Sequence, residues 1–178
     1  MSTNSTNTPE SICSSCAKPS PKKIYNCGVC QNFLCKDCTQ FLDESFFSFL
    51  KNIPDELKHG TYCGACYDQK IQPAKETYLE TMRRAKNIII FDKKATQIPL
   101  IERARFKVAI DDCSDRKETI LRLAFLAAEQ SYNAVIEVEI SSKKIRNAGY
   151  QKSSWSGTGF LAQIRTEGLK AVGSVSWK

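Results

Sequence analysis

Apolar and polar positions divide the chain into a patterned C-terminal half and an N-terminal region with little periodicity. Arg103 to Ile110 alternates, with Ala104, Phe106, Val108 and Ile110 on one face and Arg103, Arg105 and Lys107 on the other. This predicts a half-buried strand. A second strand is predicted where Ala134, Ile136, Val138 and Ile140 alternate with Val135, Glu137 and Glu139. Ile88–Phe91 is a short apolar run suited to a buried strand. Thr158, Phe160, Ala162 and Ile164 mark a further strand, and Leu169 to Trp177 the last. Between the first strands and the later ones, Ile120 to Ala128 is almost wholly apolar and predicts a buried helix. Asp115 and Glu118 ahead of it have the spacing of a capping box. Lys143 to Ser154 is polar and reads as a loop. The order strand, strand, helix, strand, strand, strand predicts an α+β domain over 88–178, an antiparallel sheet packed on one long helix.

Upstream, Pro73 to Lys86 predicts a linker helix over 69–87, with Tyr78, Leu79, Met82 and Ala85 on one face and Pro73 in its first turn. Phe46, Phe49, Leu50 and Ile53 recur at helical spacing until Pro54 and predict a short packed helix. Met1–Glu10 is Ser/Thr/Asn-rich and reads as a disordered tail. It has no basic segment followed by an apolar one, so no signal peptide is expected. The expected location is cytoplasmic.

The 11–68 region owes its character to cysteine. Eight of the nine cysteines form four C-x2-C pairs, Cys13/Cys16, Cys27/Cys30, Cys35/Cys38 and Cys63/Cys66, and Cys113 stands alone. A disulfide scaffold could also use eight cysteines, but the repeated C-x2-C unit is that of zinc knuckles. Only four residues separate the second and third pairs, too few for both to wrap one metal. Interleaving avoids this strain. Cys13, Cys16, Cys35 and Cys38 then take one ion, and Cys27, Cys30, Cys63 and Cys66 the other. Four thiolates per ion leave no open coordination position, so two structural zinc ions are expected.

This spacing, with Cys27-Gly-Val-Cys30, Cys35-Lys-Asp-Cys38 and Tyr62-Cys63-Gly-Ala-Cys66-Tyr67, resembles the FYVE/PHD superfamily of cross-braced fingers over residues 11–67. It is nearest the FYVE type, because a PHD finger has His where Cys35 stands. The resemblance implies the same interleaved ligation. It would also imply phosphatidylinositol 3-phosphate binding, but the signatures for that ligand are largely missing. No Trp precedes Cys13, the basic patch retains only Lys22 and Lys23, and the last signature reads Thr61-Tyr62-Cys63. A phosphate pocket needs several converging donors. Residues 88–165 resemble the YbjQ-like/RcsF-like α+β domains through the Leu123–Val135 helix-to-strand turn and the later Ser156-Gly-Thr-Gly159. That resemblance implies a module able to self-associate as a homo-oligomer.

Charge bears on partners. The formal net charge is +7, all of it beyond residue 70: residues 1–70 carry seven Lys/Arg and seven Asp/Glu, and residues 71–178 carry 19 and 12. A divalent ion held by four thiolates has net charge −2, so a metal-loaded finger stands near −4 and the chain near +3. Such a finger is poorly matched to DNA phosphates or an anionic membrane. Arg83, Arg84, Arg103, Arg105, Lys107, Lys143, Lys144 and Arg146 could form a nucleic-acid patch, but Glu137 and Glu139 are placed to pair with Arg105 and Lys107 across strands, which predicts a solvated, ion-paired face. Nucleic acid is therefore not an expected partner.

Catalytic chemistry finds little support. His59 is the single histidine and reads as an exposed loop residue, since eight cysteines already suffice for the metals. Cys113 follows two aspartates, which disfavour a thiolate, and reads as structural. Gly157-Thr-Gly159 lacks the Lys-Ser/Thr of a phosphate loop and reads as close packing within a strand. The expectation is a non-enzymatic zinc-binding adaptor whose finger contacts protein and whose second domain binds or oligomerises. A phosphoinositide-targeting module is the alternative. A RING-like ubiquitin ligase fits less well, because RING spacing carries a central His.

Overall fold

The computed structural model describes residues 12–19, 23–147 and 150–167. The chain divides into two compact units, Met1–Tyr78 and Leu79–Lys178. The expected tail at 1–10 and the expected last strand at 169–177 lie outside the described residues, as does Lys22.

The first unit is built from knuckles joined by very short strands. β1 (Tyr25–Asn26) pairs antiparallel with β2 (Phe33–Leu34), and β3 (Thr39–Phe41) with β4 (Thr61–Cys63). Its apolar interior is small: Leu34, Phe47, Leu57, Tyr62, Ile71 and Tyr78. Asp43–Leu50 is a run of overlapping turns rather than the predicted helix. Phe46 N–H bonds to Asp43 C=O, Ser48 N–H to Ser45 C=O, and Leu50 N–H to Phe47 C=O. The Asp43 carboxylate, which accepts from both the N–H and the Oγ of Ser45, draws the backbone into a turn where a helix would begin. Phe46 and Phe47 stack on Tyr78 at centroid distances of 5.5 and 5.3 Å.

Helical backbone begins earlier than Pro73. It runs through α1 (Gly64–Cys66), a π-helical turn (Tyr67–Ile71) and α2 (Gln72–Ala85). Proline has no N–H to donate and its ring crowds the preceding turn. The wider π turn immediately before Pro73 accommodates both, so the residue sits inside a continuous helical path instead of opening one. The division between the units falls within α2.

The second unit is a four-stranded sheet with α3 (Arg116–Glu129) packed on it. Its strands are β5 (Ile89–Asp92), β6 (Leu100–Cys113), β7 (Ala134–Asn147) and β8 (Tyr150–Ile164), in the order β5-β7-β8-β6. The expected antiparallel sheet is corrected to a mixed one, because β5 and β7 run parallel. Parallel neighbours need a long crossover, and β6 with α3 supplies it. Thr119, Ile120 and Leu123–Ala128 of α3 are buried, as the apolar run predicts. The opposite face of the sheet carries a smaller apolar cluster of Phe91, Ala134, Ile136, Ala162 and Ile164.

β7 does not keep one alternation along its length. Glu137 has φ 52° and the β7–β8 register shifts between Ile136 and Glu139. This bulge exchanges the faces. Val135 and Val138 both lie where a Cβ on Gly159 would point, while Glu139 joins the open face. β6 also departs from expectation, since Phe106 is 77% exposed. It lies in a register shift between Arg103 and Lys107 on the sheet's edge strand, where an inward position is lost. Finally, Lys143–Asn147 and Tyr150–Ser154 are not loop but paired strand, continuing β7 and β8.

α3 is held at both ends. Asp115 Oδ1 accepts from Glu118 N–H at 2.8 Å, and Glu118 Oε2 accepts from Ser114 N–H and Oγ–H at 2.8 and 2.6 Å. At the other end Ser131 adopts φ 62° and Tyr132 N–H reaches Ala127 C=O. Asn133 then bonds both the N–H and the C=O of Ile164, pinning the end of β8 beside the start of β7.

The Ser114 bonds, with Arg122 beside them, hold the Glu118 carboxyl down to about 2. A group whose folded pKa is depressed stabilises the fold above its unfolded value, about 4.3, and that stabilisation is lost as pH falls towards the folded value. Glu118→Gln is therefore expected to destabilise the second unit by about 1–2 kcal/mol at pH 7. The difference from wild type should vanish between about pH 4.5 and about pH 2. Urea unfolding of both proteins across that range measures it; a difference independent of pH would contradict the assignment.

Candidate metal centres

Each cysteine pair is shaped by local backbone. In the first knuckle Ala17 N–H bonds Cys13 C=O and Cys13 N–H bonds Lys18 C=O. In the second, Gln31 N–H bonds Cys27 C=O and Cys27 N–H bonds Asn32 C=O. The two are the same structure, closed by a residue in the left-handed region, Ala17 at φ 56° and Gln31 at φ 61°. The third pair brackets a 3-10 turn at Lys36–Cys38, where Thr39 Oγ1 donates to Cys35 C=O at 2.8 Å. The fourth uses a helix start: Cys63 caps α1, and its Sγ accepts from Cys66 N–H.

Strand pairing then sets pair against pair. Ser14 N–H bonds Phe33 C=O, tying the first knuckle to β2, and Gly28 N–H bonds Thr61 C=O, tying the second to β4. The result is two sulfur clusters, Cys13/Cys16/Cys35/Cys38 and Cys27/Cys30/Cys63/Cys66, with each set of Sγ atoms within 4.8 Å of one another. This is the interleaved partition that the short gap between pairs two and three predicts. Each cluster could hold a metal ion.

The donor sets fit a tetrahedral thiophilic ion. Cys16 and Cys35 Sγ lie 3.9 Å apart, as do Cys30 and Cys63 Sγ. A tetrahedron with metal–sulfur bonds of 2.3 Å has edges of about 3.8 Å. All nine cysteines are free thiols. Their proton affinities point the same way. Cys13 is lowered to about 6, first by the backbone N–H of Cys35, whereas hydrogen bonding with Cys35 and Cys16 pushes Cys38 up to about 12. At Cys27 burial raises the thiol, but the N–H groups of Cys30, Cys63 and Val29 outweigh it and the net value falls to about 6. Cys66 is pushed up to about 12, by burial first and then by Cys63 and Cys30. Each cluster thus sets one thiol of lowered proton affinity beside one of raised affinity, and a divalent cation would balance the charge of four thiolates.

His59 joins neither cluster. It is not an exposed loop residue as expected but half-buried, with its backbone C=O accepting from Tyr62 Oη at 2.6 Å and its ring against Gly28. A Cβ on Gly28 would stand 2.3 Å from both Cβ and Cγ of His59. Gly28→Ala is therefore expected to cost the first unit about 1–3 kcal/mol. His59→Gly should recover most of that in the double variant. Denaturant unfolding of the zinc-loaded proteins checks this; additive losses would contradict it.

Lys23 sits over the Tyr25 ring at 5.0 Å. Cys113 is buried in the second unit, and burial pushes its thiol up. Glu137 and Glu139 do pair with β6 cations, but with Arg103 and Lys107 rather than Arg105 and Lys107; Lys93 also meets Glu139. β8 separates β6 from β7, and Arg103 crosses it by lying over the Phe160 ring at 3.7 Å. Asn133, four residues beyond the end of α3, is a functional clamp that the sequence signals only as an Asn in the turn after a helix.

Among the described residues no helix is long and apolar enough to cross a membrane. No protein-family model, no curated protein and no solved structure matches the chain.

Proposed function

We propose that the chain is a non-enzymatic, cytoplasmic adaptor whose first unit is a FYVE-like cross-braced finger holding two structural zinc ions. The observation that carries this reading is the pair of closed four-cysteine clusters, built on interleaved knuckles. Zinc suits them because it accepts four thiolates in a tetrahedron without redox chemistry. With every coordination position filled by protein, the metal replaces an apolar core and activates no water.

The finger's role in this reading is protein contact. Phe33 and Phe41 are 52% and 53% exposed, and Phe41 stacks edge-on against Tyr25. Large exposed aromatics on a small rigid unit are features of a recognition surface. The second unit, which resembles YbjQ-like domains, serves as the partner-binding or self-associating part.

Phe33→Ser with Phe41→Ser in the zinc-loaded full chain tests the contact. Quantitative affinity capture should show a discrete set of proteins retained by wild type and lost by the variant, with two zinc ions kept in both. Identical capture by the two proteins would oppose the reading. Zinc-dependent pelleting with phosphatidylinositol 3-phosphate liposomes, absent with phosphatidylcholine alone, would favour the lipid-targeting alternative instead.

A further inference from the structure

The hairpin of β7 and β8 outlasts the sheet it belongs to. β5 accompanies β7 only between Ala134 and Val138, and β6 accompanies β8 only as far as Cys113 opposite Trp155. Beyond that point, among the described residues, Lys143–Arg146 and Gln151–Ser154 pair with each other alone, as a two-stranded ribbon. Seven of these eight residues are exposed; Ser154, whose Oγ donates to Asp112, is the exception.

The ribbon's charge is one-sided in sign and two-sided in space. No Asp or Glu occurs between Glu139 and Glu167, while the ribbon carries Lys143, Lys144, Arg146 and Lys152. Elsewhere in the unit Lys93, Arg103, Lys107 and Arg122 each meet a carboxylate. The four ribbon cations have no ion pair among the described residues. Directly opposed residues of an antiparallel pair share a face. Lys143 is opposite Ser154, Lys144 opposite Ser153, Ile145 opposite Lys152 and Arg146 opposite Gln151. Lys143 and Lys152 therefore occupy one face, and Lys144 and Arg146 the other.

This distribution selects the shape of the anionic partner. A flat anionic surface such as a membrane meets one face and leaves the other two cations unused. A groove walled by phosphates on both sides meets all four. The major groove of B-form DNA is about 12 Å wide and admits a two-stranded ribbon, whereas the A-form RNA groove is too narrow for protein to enter. We propose that the ribbon enters the major groove of duplex DNA. Lys143 and Lys152 then turn to one phosphate backbone and Lys144 and Arg146 to the other, with binding driven by phosphate contact rather than base sequence. This assignment concerns the second unit and holds whether or not the finger binds protein.

The test is fluorescence anisotropy of a labelled, mixed-sequence DNA duplex of about 20 base pairs with the zinc-loaded full chain. Neutralising four phosphates gives a slope of log K against log salt of about −3.6, or about 150-fold weaker binding at 200 mM than at 50 mM salt. Lys144→Gln with Arg146→Gln should halve the slope, and Lys143→Gln with Lys152→Gln should halve it equally. Lys144→Arg should leave it unchanged. These positions are exposed, so the substitutions leave the fold intact, which the thermal transition of each variant verifies. Any of four results would overturn the proposal. They are no duplex binding at low salt, equal binding of an RNA duplex, an unchanged slope in either double variant, and binding to phosphatidylserine vesicles without binding to DNA.

Discussion

Cys13→Ser is expected to remove one zinc ion from the protein and unfold most of the first unit. Cys13 is fully buried, and its sulfur is one of the four that converge in the first cluster. A serine oxygen is a poor substitute, since it neither ionises at neutral pH nor matches the soft preference of the site. In small zinc domains the metal-binding free energy is the folding free energy, about 10–16 kcal/mol at neutral pH. The few apolar side chains of this unit cannot replace that. The damage should spread, because the first knuckle is tied to β2, which lies between the second and third pairs. Elemental analysis should find one zinc or fewer per chain, with loss of the near-ultraviolet signal from Tyr62 and Tyr67. Cys113→Ser is the control. It removes a buried thiol of the second unit and should leave the metal content unchanged.

The second large effect is expected at Gly157, in the other unit. A Cβ there would lie 2.6 Å from Thr119 Cγ2 and 3.2 Å from Leu123 Cδ1. Thr119 cannot simply rotate away, because its Oγ1 donates to Asp115 C=O at 2.8 Å and it is fully buried. α3 can approach β8 this closely only because the residue has no side chain. Gly157→Ala should destabilise the second unit by about 1–3 kcal/mol, a loss of about 5–20 °C in its transition, and Gly157→Val by more. Thr119→Ser removes the obstructing methyl and should restore part of the loss in the alanine variant. Zinc content should stay at wild-type level throughout. An unaltered transition in Gly157→Val would contradict this packing.

What the sequence made legible is what local chemistry determines. The knuckle spacing forces a particular grouping of thiols, so the two clusters follow from counting residues between pairs. The burial of α3 follows from its apolar run, and its start from Asp115 and Glu118. The close packing at Gly157 follows from a glycine inside a strand. What stayed hidden has no side-chain signature. Alternation reports which face a residue takes but not which way the neighbouring strand runs, so the parallel pairing of β5 with β7 was unreadable. The bulge at Glu137 and the knuckle closures at Ala17 and Gln31 place ordinary residues in a conformation that glycine would have advertised. The ribbon read as a loop because it buries no apolar face, and its strands are recognised only through their hydrogen bonds.

Native mass spectrometry of the intact protein, expressed and purified without chelator, tests the two-centre account most directly. Two closed four-cysteine clusters should give a dominant species carrying two zinc ions per chain, which loses both on acidification and then shows the mass of nine free thiols. A metal-free species lighter by the eight hydrogens of four disulfides would contradict it.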